Sequence, residues 1–106
     1  MKVVLDEGVP RRLGGLLRQA GGDVSNFPNE WKGLKNGHLL DRIDQAGFQC
    51  LLTCDRNLGY QQPLSRWQVA IVVLPYQRFQ DLLPVAPAIL AAIEDVQIGS
   101  IVTIPR

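Results

Sequence analysis

The sequence predicts an α/β domain with a mainly parallel, five-stranded sheet that helices cover on both faces. Short apolar runs alternate with segments in which apolar residues recur at helical spacing, and this order is typical of strands joined by helices. The run at residues 69–74 contains apolar residues without polar alternation, which indicates a strand buried on both faces. The length of 106 residues fits a single domain, residues 1–106, that is large enough to bury a core.

The first strand, helix and second strand follow from local signals. Residues 3–5 are a short β-branched run that predicts a buried strand, and Pro10 suits the first turn of the helix after it. One face of that helix carries an apolar stripe of Leu13, Leu16, Leu17 and Ala20. Gly21-Gly22 ends the helix, and residues 23–25 predict a short second strand.

The middle of the chain predicts a loop, a helix and a buried strand. Residues 26–37 form the loop, and Asn36 is a candidate N-cap for the second helix. The apolar stripe of that helix is Leu39, Leu40, Ile43 and Ala46. Gly47 ends the helix, and the nearly continuous apolar run at residues 48–53 predicts a parallel strand.

The last part of the chain predicts two strands with a helix between them. Residues 69–74 form the clearest central strand, and residues 101–104 form the last strand, at an edge of the sheet. A helical pattern covers residues 79–93, and Pro84 and Pro87 must break or restart it, because proline removes a backbone donor.

Acidic residues follow two of the strands that we expect in the centre of the sheet. Asp6 and Glu7 follow the first strand, and Asp55 follows the third. The carboxyl ends of parallel strands meet at one edge, where such sheets bind ligands. Carboxylates crowded there repel each other, and one explanation is a Mg²⁺ or Mn²⁺ ion between them that supports phosphodiester hydrolysis. The alternative is that Asp6 and Asp55 only cap the helices that follow, and spacing alone does not decide.

Other polar residues are weaker candidates. His38, the single histidine, falls in the first turn of the second helix, where a surface or packing role is the ordinary one. Asp41 is either a partner of His38 or a favourable charge near the helix N-terminus. Arg56 and Asn57 adjoin Asp55, and Arg56 either contacts phosphate or pairs with an acid.

Composition excludes several classes of protein. The net charge of +1 gives no strong field for nucleic acid, so RNA binding must depend on a local patch. There is no apolar run of the roughly 18 residues that a membrane span needs, and the apolar N-terminal stretch is too short for a signal peptide. Cys50 and Cys54 stand about 13 Å apart if both lie on one strand, too far for a disulfide. We therefore expect a cytoplasmic protein that does not enter membranes.

Two enzyme classes and a signalling class also fit poorly. No serine or cysteine stands in a nucleophile elbow that would serve the single histidine, and no glycine-rich phosphate loop follows the first strand. A phosphoacceptor receiver domain has acids after the same strands but needs a lysine after a late strand. The lysines here are Lys2, Lys32 and Lys35, all in the first half of the chain.

Four segments, spread over nearly the whole chain, carry a resemblance to a known family. They are Val3-Val4-Leu5-Asp6-Glu7-Gly8-Val9-Pro10, Trp31-Lys32-Gly33-Leu34-Lys35-Asn36-Gly37, Leu52-Thr53-Cys54-Asp55-Arg56-Asn57-Leu58 with Tyr60-Gln61-Gln62, and residues 70–74. In order and spacing they resemble a short PIN-like family of the PIN-domain nuclease superfamily.

The resemblance implies a PIN-like three-layer α/β/α sandwich and a Mg²⁺- or Mn²⁺-dependent ribonuclease related to VapC-type toxins. It implies that Asp6 and Asp55 are catalytic and hold the metal, with Glu7 and Asn57 as accessories. The partners that it implies are an RNA substrate and an antitoxin protein, and a homodimer is the assembly to test.

The sequence departs from the family at one acid. After Lys-Asn-Gly the family pattern usually has glutamate, and here the position is His38. Histidine binds Mn²⁺ but is a poor Mg²⁺ ligand, and it removes one negative charge. Asp41, one helical turn further on, would replace the acid only if the helix rotated or shifted. The expected function is a metal-dependent ribonuclease, as the toxin of a toxin–antitoxin pair, and the alternative is a catalytically weakened PIN-like module that binds RNA or a protein partner without cleavage.

Overall fold

The sheet has the predicted architecture. The structure is a computed structural model that describes residues 1–58 and 63–106, so Tyr60, Gln61 and Gln62, which contribute to the resemblance, lie outside the described residues. The strands are β1 (Val3–Leu5), β2 (Val24–Ser25), β3 (Cys50–Thr53), β4 (Ala70–Val73) and β5 (Ile101–Thr103). They form a five-stranded sheet in the order β2-β1-β3-β4-β5, with every pairing parallel. The predicted central position of β1, β3 and β4 is confirmed.

The register aligns the carboxyl ends of the central strands. Leu5 of β1 stands opposite Leu52 of β3, and the backbone N–H of Asp6 donates to the Leu52 carbonyl oxygen at 2.8 Å. On the other side of β3, the N–H of Leu74 donates to the carbonyl oxygen of Thr53 at 2.8 Å. The ladder therefore holds Asp6, Thr53 and Leu74 side by side at one edge of the sheet.

Four α-helices are present in the described part of the chain. They are α1 (Arg11–Gln19), α2 (Asn36–Gln45), α3 (Phe79–Leu82) and α4 (Ala86–Asp95). The predicted break at Pro84 is confirmed: the 3₁₀ turn Leu83–Val85 separates α3 from α4, and Pro87 lies in the first turn of α4, where proline costs no helical hydrogen bond. None of these helices has the length and apolar character to cross a bilayer.

The start of α2 differs from the prediction by one residue. Lys35 is the N-cap and Asn36 is the first helical residue, and no cap side chain bonds the helix N-terminus. Asn36 has a φ of 49°, in the left-handed region that asparagine tolerates better than most residues. Its backbone conformation therefore makes the sharp turn into α2, whereas we expected its side chain to cap the helix.

The two faces of the sheet are covered by different elements. Val3, Leu5, Leu52 and Val72 pack on one face with residues of α1, α3 and α4, among them Leu13, Leu17, Leu82 and Ile89. Val4, Leu51, Ile71 and Val73 pack on the other face with Leu39, Leu40 and Ile43 of α2 and with Trp31 and Trp67. Alternate strand residues thus enter opposite cores, and the three-layer α/β/α sandwich is confirmed.

Candidate functional site

Asp6 and Asp55, which we term the acid pair, are joined through one buried threonine. The Thr53 side chain is 0% exposed, and its hydroxyl donates to the Asp6 Oδ2 atom at 2.7 Å. The same hydroxyl oxygen accepts the backbone N–H of Asp55 at 3.0 Å. Because a hydroxyl both donates and accepts, this one atom fixes the Asp6 carboxylate relative to the backbone of Asp55.

The half-buried Asp6 carboxylate also organises the turn after β1. Its Oδ1 atom accepts the backbone N–H of Glu7 at 2.8 Å, while the Asp6 carbonyl oxygen accepts the N–H of Val9 at 3.1 Å. An ionised carboxylate has about four lone-pair positions, so these contacts leave it able to bind a further ligand. Asp6 thus has the turn-forming role that the capping alternative expects, together with unused acceptor capacity.

Asp55 is exposed and shapes the turn after β3. Its Oδ1 atom accepts the backbone N–H of Asn57 at 2.9 Å. Asp55 thus has the local turn-capping role that the capping alternative expects. Asn57 contributes its backbone N–H to this bond. The bond uses one of the two carboxylate oxygens and keeps the carboxylate at the sheet edge.

Cys54, between Thr53 and Asp55, is half-buried and has a neutral thiol. Its Sγ atom donates to the carbonyl oxygen of Tyr76 at 3.4 Å. Burial, and then the negative charge of Asp6, raise the pKa of the Cys54 thiol above its ordinary value. The pKa of the fully buried Cys50 is raised to about 12 by burial. Neither thiol is a ready nucleophile at neutral pH, because the thiolate is the reactive form.

The structure places Glu7 and Arg56 on different depressions. Exposed Glu7 lines a shallow depression of about 140 Å³ with Arg11 and Lys32. Exposed Arg56 lines a cleft of about 410 Å³ next to the strand ends. The Glu7 backbone contacts the acid pair, whereas the Arg56 side chain extends the site toward that cleft.

His38 and Asp41 share a third depression. His38 is exposed in the first turn of α2. It lines this depression, which has a volume of about 430 Å³, together with Asp41, Arg66 and Trp67. The Trp67 Nε1–H donates to the Asp41 Oδ1 atom at 2.6 Å. Asp41 therefore holds the indole of Trp67, which is only 4% exposed.

We expect Asp41→Ala to destabilise the fold by about 1–3 kcal/mol, because it leaves the buried Trp67 N–H without an acceptor. Asp41→Asn is the matched control, since its amide oxygen keeps an acceptor at the same position. Urea unfolding followed by tryptophan fluorescence measures both free energies of unfolding. Equal stability of wild type and Asp41→Ala would show that the Asp41–Trp67 bond contributes nothing.

The donor set of the acid pair fits a hydrated hard cation. In residues 1–58 and 63–106, no group of three or more His, Cys, Asp or Glu side chains is placed to hold a metal ion, so His38 and Glu7 do not complete such a set with Asp6 and Asp55. Magnesium ions usually keep several waters and bind through one or two carboxylates together with substrate phosphates. Two carboxylates at one sheet edge match that chemistry better than a closed zinc site, which takes four nitrogen and sulfur ligands.

Comparison of this chain with protein-family models, with curated proteins and with solved structures finds no match. The PIN-like resemblance therefore stays a prediction from the sequence.

Two contacts of the site were not predicted from the sequence. Thr53 ends an apolar run and so has the pattern of an ordinary strand residue. The bond between Asp41 and Trp67 joins residues 26 positions apart and has no local signature.

Proposed function

We propose that this protein is a divalent-metal-dependent ribonuclease in which Asp6 and Asp55 hold Mg²⁺ or Mn²⁺. One observation carries the proposal: at the carboxyl edge of adjacent central strands, the Thr53 hydroxyl donates to the Asp6 carboxylate and accepts the backbone N–H of Asp55. Open parallel sheets bind their ligands at this edge.

Each residue of the site has a separate task in this proposal. A bound divalent ion supplies an activated water and neutralises phosphoryl charge. Thr53 is a positioning residue, since its bond to Oδ2 fixes the direction in which the Asp6 carboxylate presents its free lone pairs. Arg56, exposed directly after Asp55, provides a guanidinium for a phosphate oxygen of the RNA.

The resemblance extends the proposal to the biological partner. On this basis we propose that the ribonuclease is the toxin of a toxin–antitoxin pair and that a small antitoxin protein binds the ribonuclease. A homodimer and a cytoplasmic location belong to the same proposal.

A second function is favoured by the surroundings of His38. This residue is exposed in a cleft that Asp41, Arg66 and Trp67 line, and it takes the position where the resembling family has an acid. A site with one carboxylate fewer attracts a divalent cation less strongly. The second candidate is thus a PIN-like module that binds RNA or a protein partner without cutting RNA.

Cleavage of a mixed-sequence RNA tests both functions. For the ribonuclease we expect weak cleavage in Mg²⁺, because the chain has one acid fewer than the family that it resembles. We expect His38→Glu, which restores that acid, to raise the cleavage rate in Mg²⁺ about tenfold, and the neutral His38→Gln control to leave it low. RNA binding without cleavage in Mg²⁺ or Mn²⁺, in wild type and in His38→Glu, would favour the second function. Strong Mg²⁺-dependent cleavage by wild type that His38→Glu abolishes would show that His38 is itself catalytic.

A further inference from the structure

A basic cleft lies beside the acid pair at the carboxyl edge of the sheet. It has a volume of about 410 Å³, and Cys54 after β3, Tyr76 after β4 and Arg106 after β5 all line it. Arg56 and Arg78 complete its basic side chains, and we term it the arginine cleft. The cleft therefore runs across the ends of three neighbouring strands, starting from the strand that carries Asp55.

The arginine cleft concentrates positive charge in a nearly neutral protein. Arg56, Arg78 and Arg106 are exposed, and Asp81 is the one acidic side chain among the described residues that line the cleft. The whole chain carries a net charge of only +1. The guanidinium group of Arg106 lies 5.9 Å from the centre of the Tyr76 ring, a contact that keeps it at the cleft. Such a surface suits an anion, and a planar guanidinium group can bind two oxygens of one phosphate at the same time.

The cleft adjoins the acid pair along the chain. Cys54, whose side chain lines the cleft and bonds the Tyr76 carbonyl oxygen, directly precedes Asp55. Arg56 directly follows Asp55 in the chain. A ligand phosphate held by the arginines therefore lies next to the place where Asp6 and Asp55 would act on another phosphate of the same strand.

We propose that the arginine cleft binds a backbone phosphate of single-stranded RNA adjacent to the phosphate at the acid pair. The choice of RNA as ligand rests on the proposed ribonuclease function, whereas the anion chemistry follows from the cleft itself. Arg78 and Arg106 are the principal contacts of this phosphate, because Arg56 is the residue proposed to contact the phosphate at the acid pair.

The test is the affinity of a fluorescein-labelled, mixed-sequence, single-stranded RNA in EDTA, measured by fluorescence anisotropy at several salt concentrations. We expect Arg78→Gln/Arg106→Gln to raise Kd about tenfold. The slope of log K against log salt should fall in magnitude by about 0.7 for each phosphate that the variant no longer neutralises. Lys2→Gln/Arg42→Gln removes the same charge from exposed positions just before β1 and on α2, and it should leave Kd within about twofold of wild type. Asp81→Asn should change Kd in the opposite direction and tighten binding.

Three results would overturn the cleft proposal: no RNA binding by wild type, equal losses of affinity in the two double variants, or binding of a glutamate-rich peptide in place of RNA. Because the assay contains no metal, the outcome does not depend on cleavage. Wild type that binds RNA through the cleft but never cleaves it would contradict the ribonuclease function and support the cleft. Full cleavage and unchanged Kd in Arg78→Gln/Arg106→Gln would do the reverse.

Discussion

Asp6→Asn is expected to lower the Mn²⁺-dependent rate of RNA cleavage at least about 100-fold, a loss of roughly 2.7 kcal/mol of transition-state stabilisation. Asparagine has the size of aspartate. Its amide oxygen keeps an acceptor for the Glu7 N–H, and its NH₂ group can donate to the Thr53 hydroxyl oxygen, so the turn after β1 should survive. What it lacks is the negative charge that holds the cation. Initial rates on one RNA substrate, for folded wild type and variant at one Mn²⁺ concentration that saturates wild type, measure the effect.

Asp23→Asn is the matched control for this loss. Asp23 is exposed just before β2, at the amino ends of the strands and therefore opposite the acid pair. The Asp23 backbone carbonyl oxygen accepts the N–H of Val3, and the substitution keeps this bond. Its cleavage rate should equal that of wild type. Cleavage by Asp6→Asn within about threefold of wild type would remove Asp6 from the catalytic site.

The largest expected loss of stability comes from Leu52→Ala. Leu52 is 0% exposed in β3, between β1 and β4, and it packs in the core beneath α1 and α4. Truncation of a buried leucine costs about 2–5 kcal/mol, because it combines lost burial with a cavity that close-packed neighbours cannot fill. Urea unfolding should show a lower midpoint with an unchanged m-value.

Leu83→Ala makes the same chemical change at a leucine that is 47% exposed. Its free energy of unfolding should stay within about 0.5 kcal/mol of wild type. If Leu52→Ala costs no more than Leu83→Ala, β3 is not the central strand of the sheet.

The fold was predictable because its strands are buried on both faces. Residues 69–74 are apolar without alternation, and only a sheet covered on both sides accommodates such a run. The start of α2 was less predictable. Asparagine is common both at helix N-caps and in the left-handed conformation, and only the backbone φ angle of Asn36 shows which of these two roles it has.

The acid pair and the arginine cleft show which site residues can be predicted from their positions after strands. Asp6 and Asp55 were expected together because they follow strands that the pattern places side by side. Applied to β4 and β5, the same rule also places Arg78 and Arg106 at that edge, and we did not predict them from the sequence. The Thr53 link was not predictable, because its two bonds depend on the register of β1 against β3.

The most direct test of the proposed metal site is a Mn²⁺ titration of wild type, Asp6→Asn, Asp55→Asn and Asp23→Asn, followed by calorimetry or by the electron paramagnetic resonance signal of free Mn²⁺. We expect one Mn²⁺ bound per chain in wild type and in Asp23→Asn. In Asp6→Asn and in Asp55→Asn the Kd should rise at least about tenfold, because each loses one of two anionic ligands. Equal Mn²⁺ affinity in all four proteins would show that Asp6 and Asp55 only shape the turns after β1 and β3, and that the site is not a metal centre.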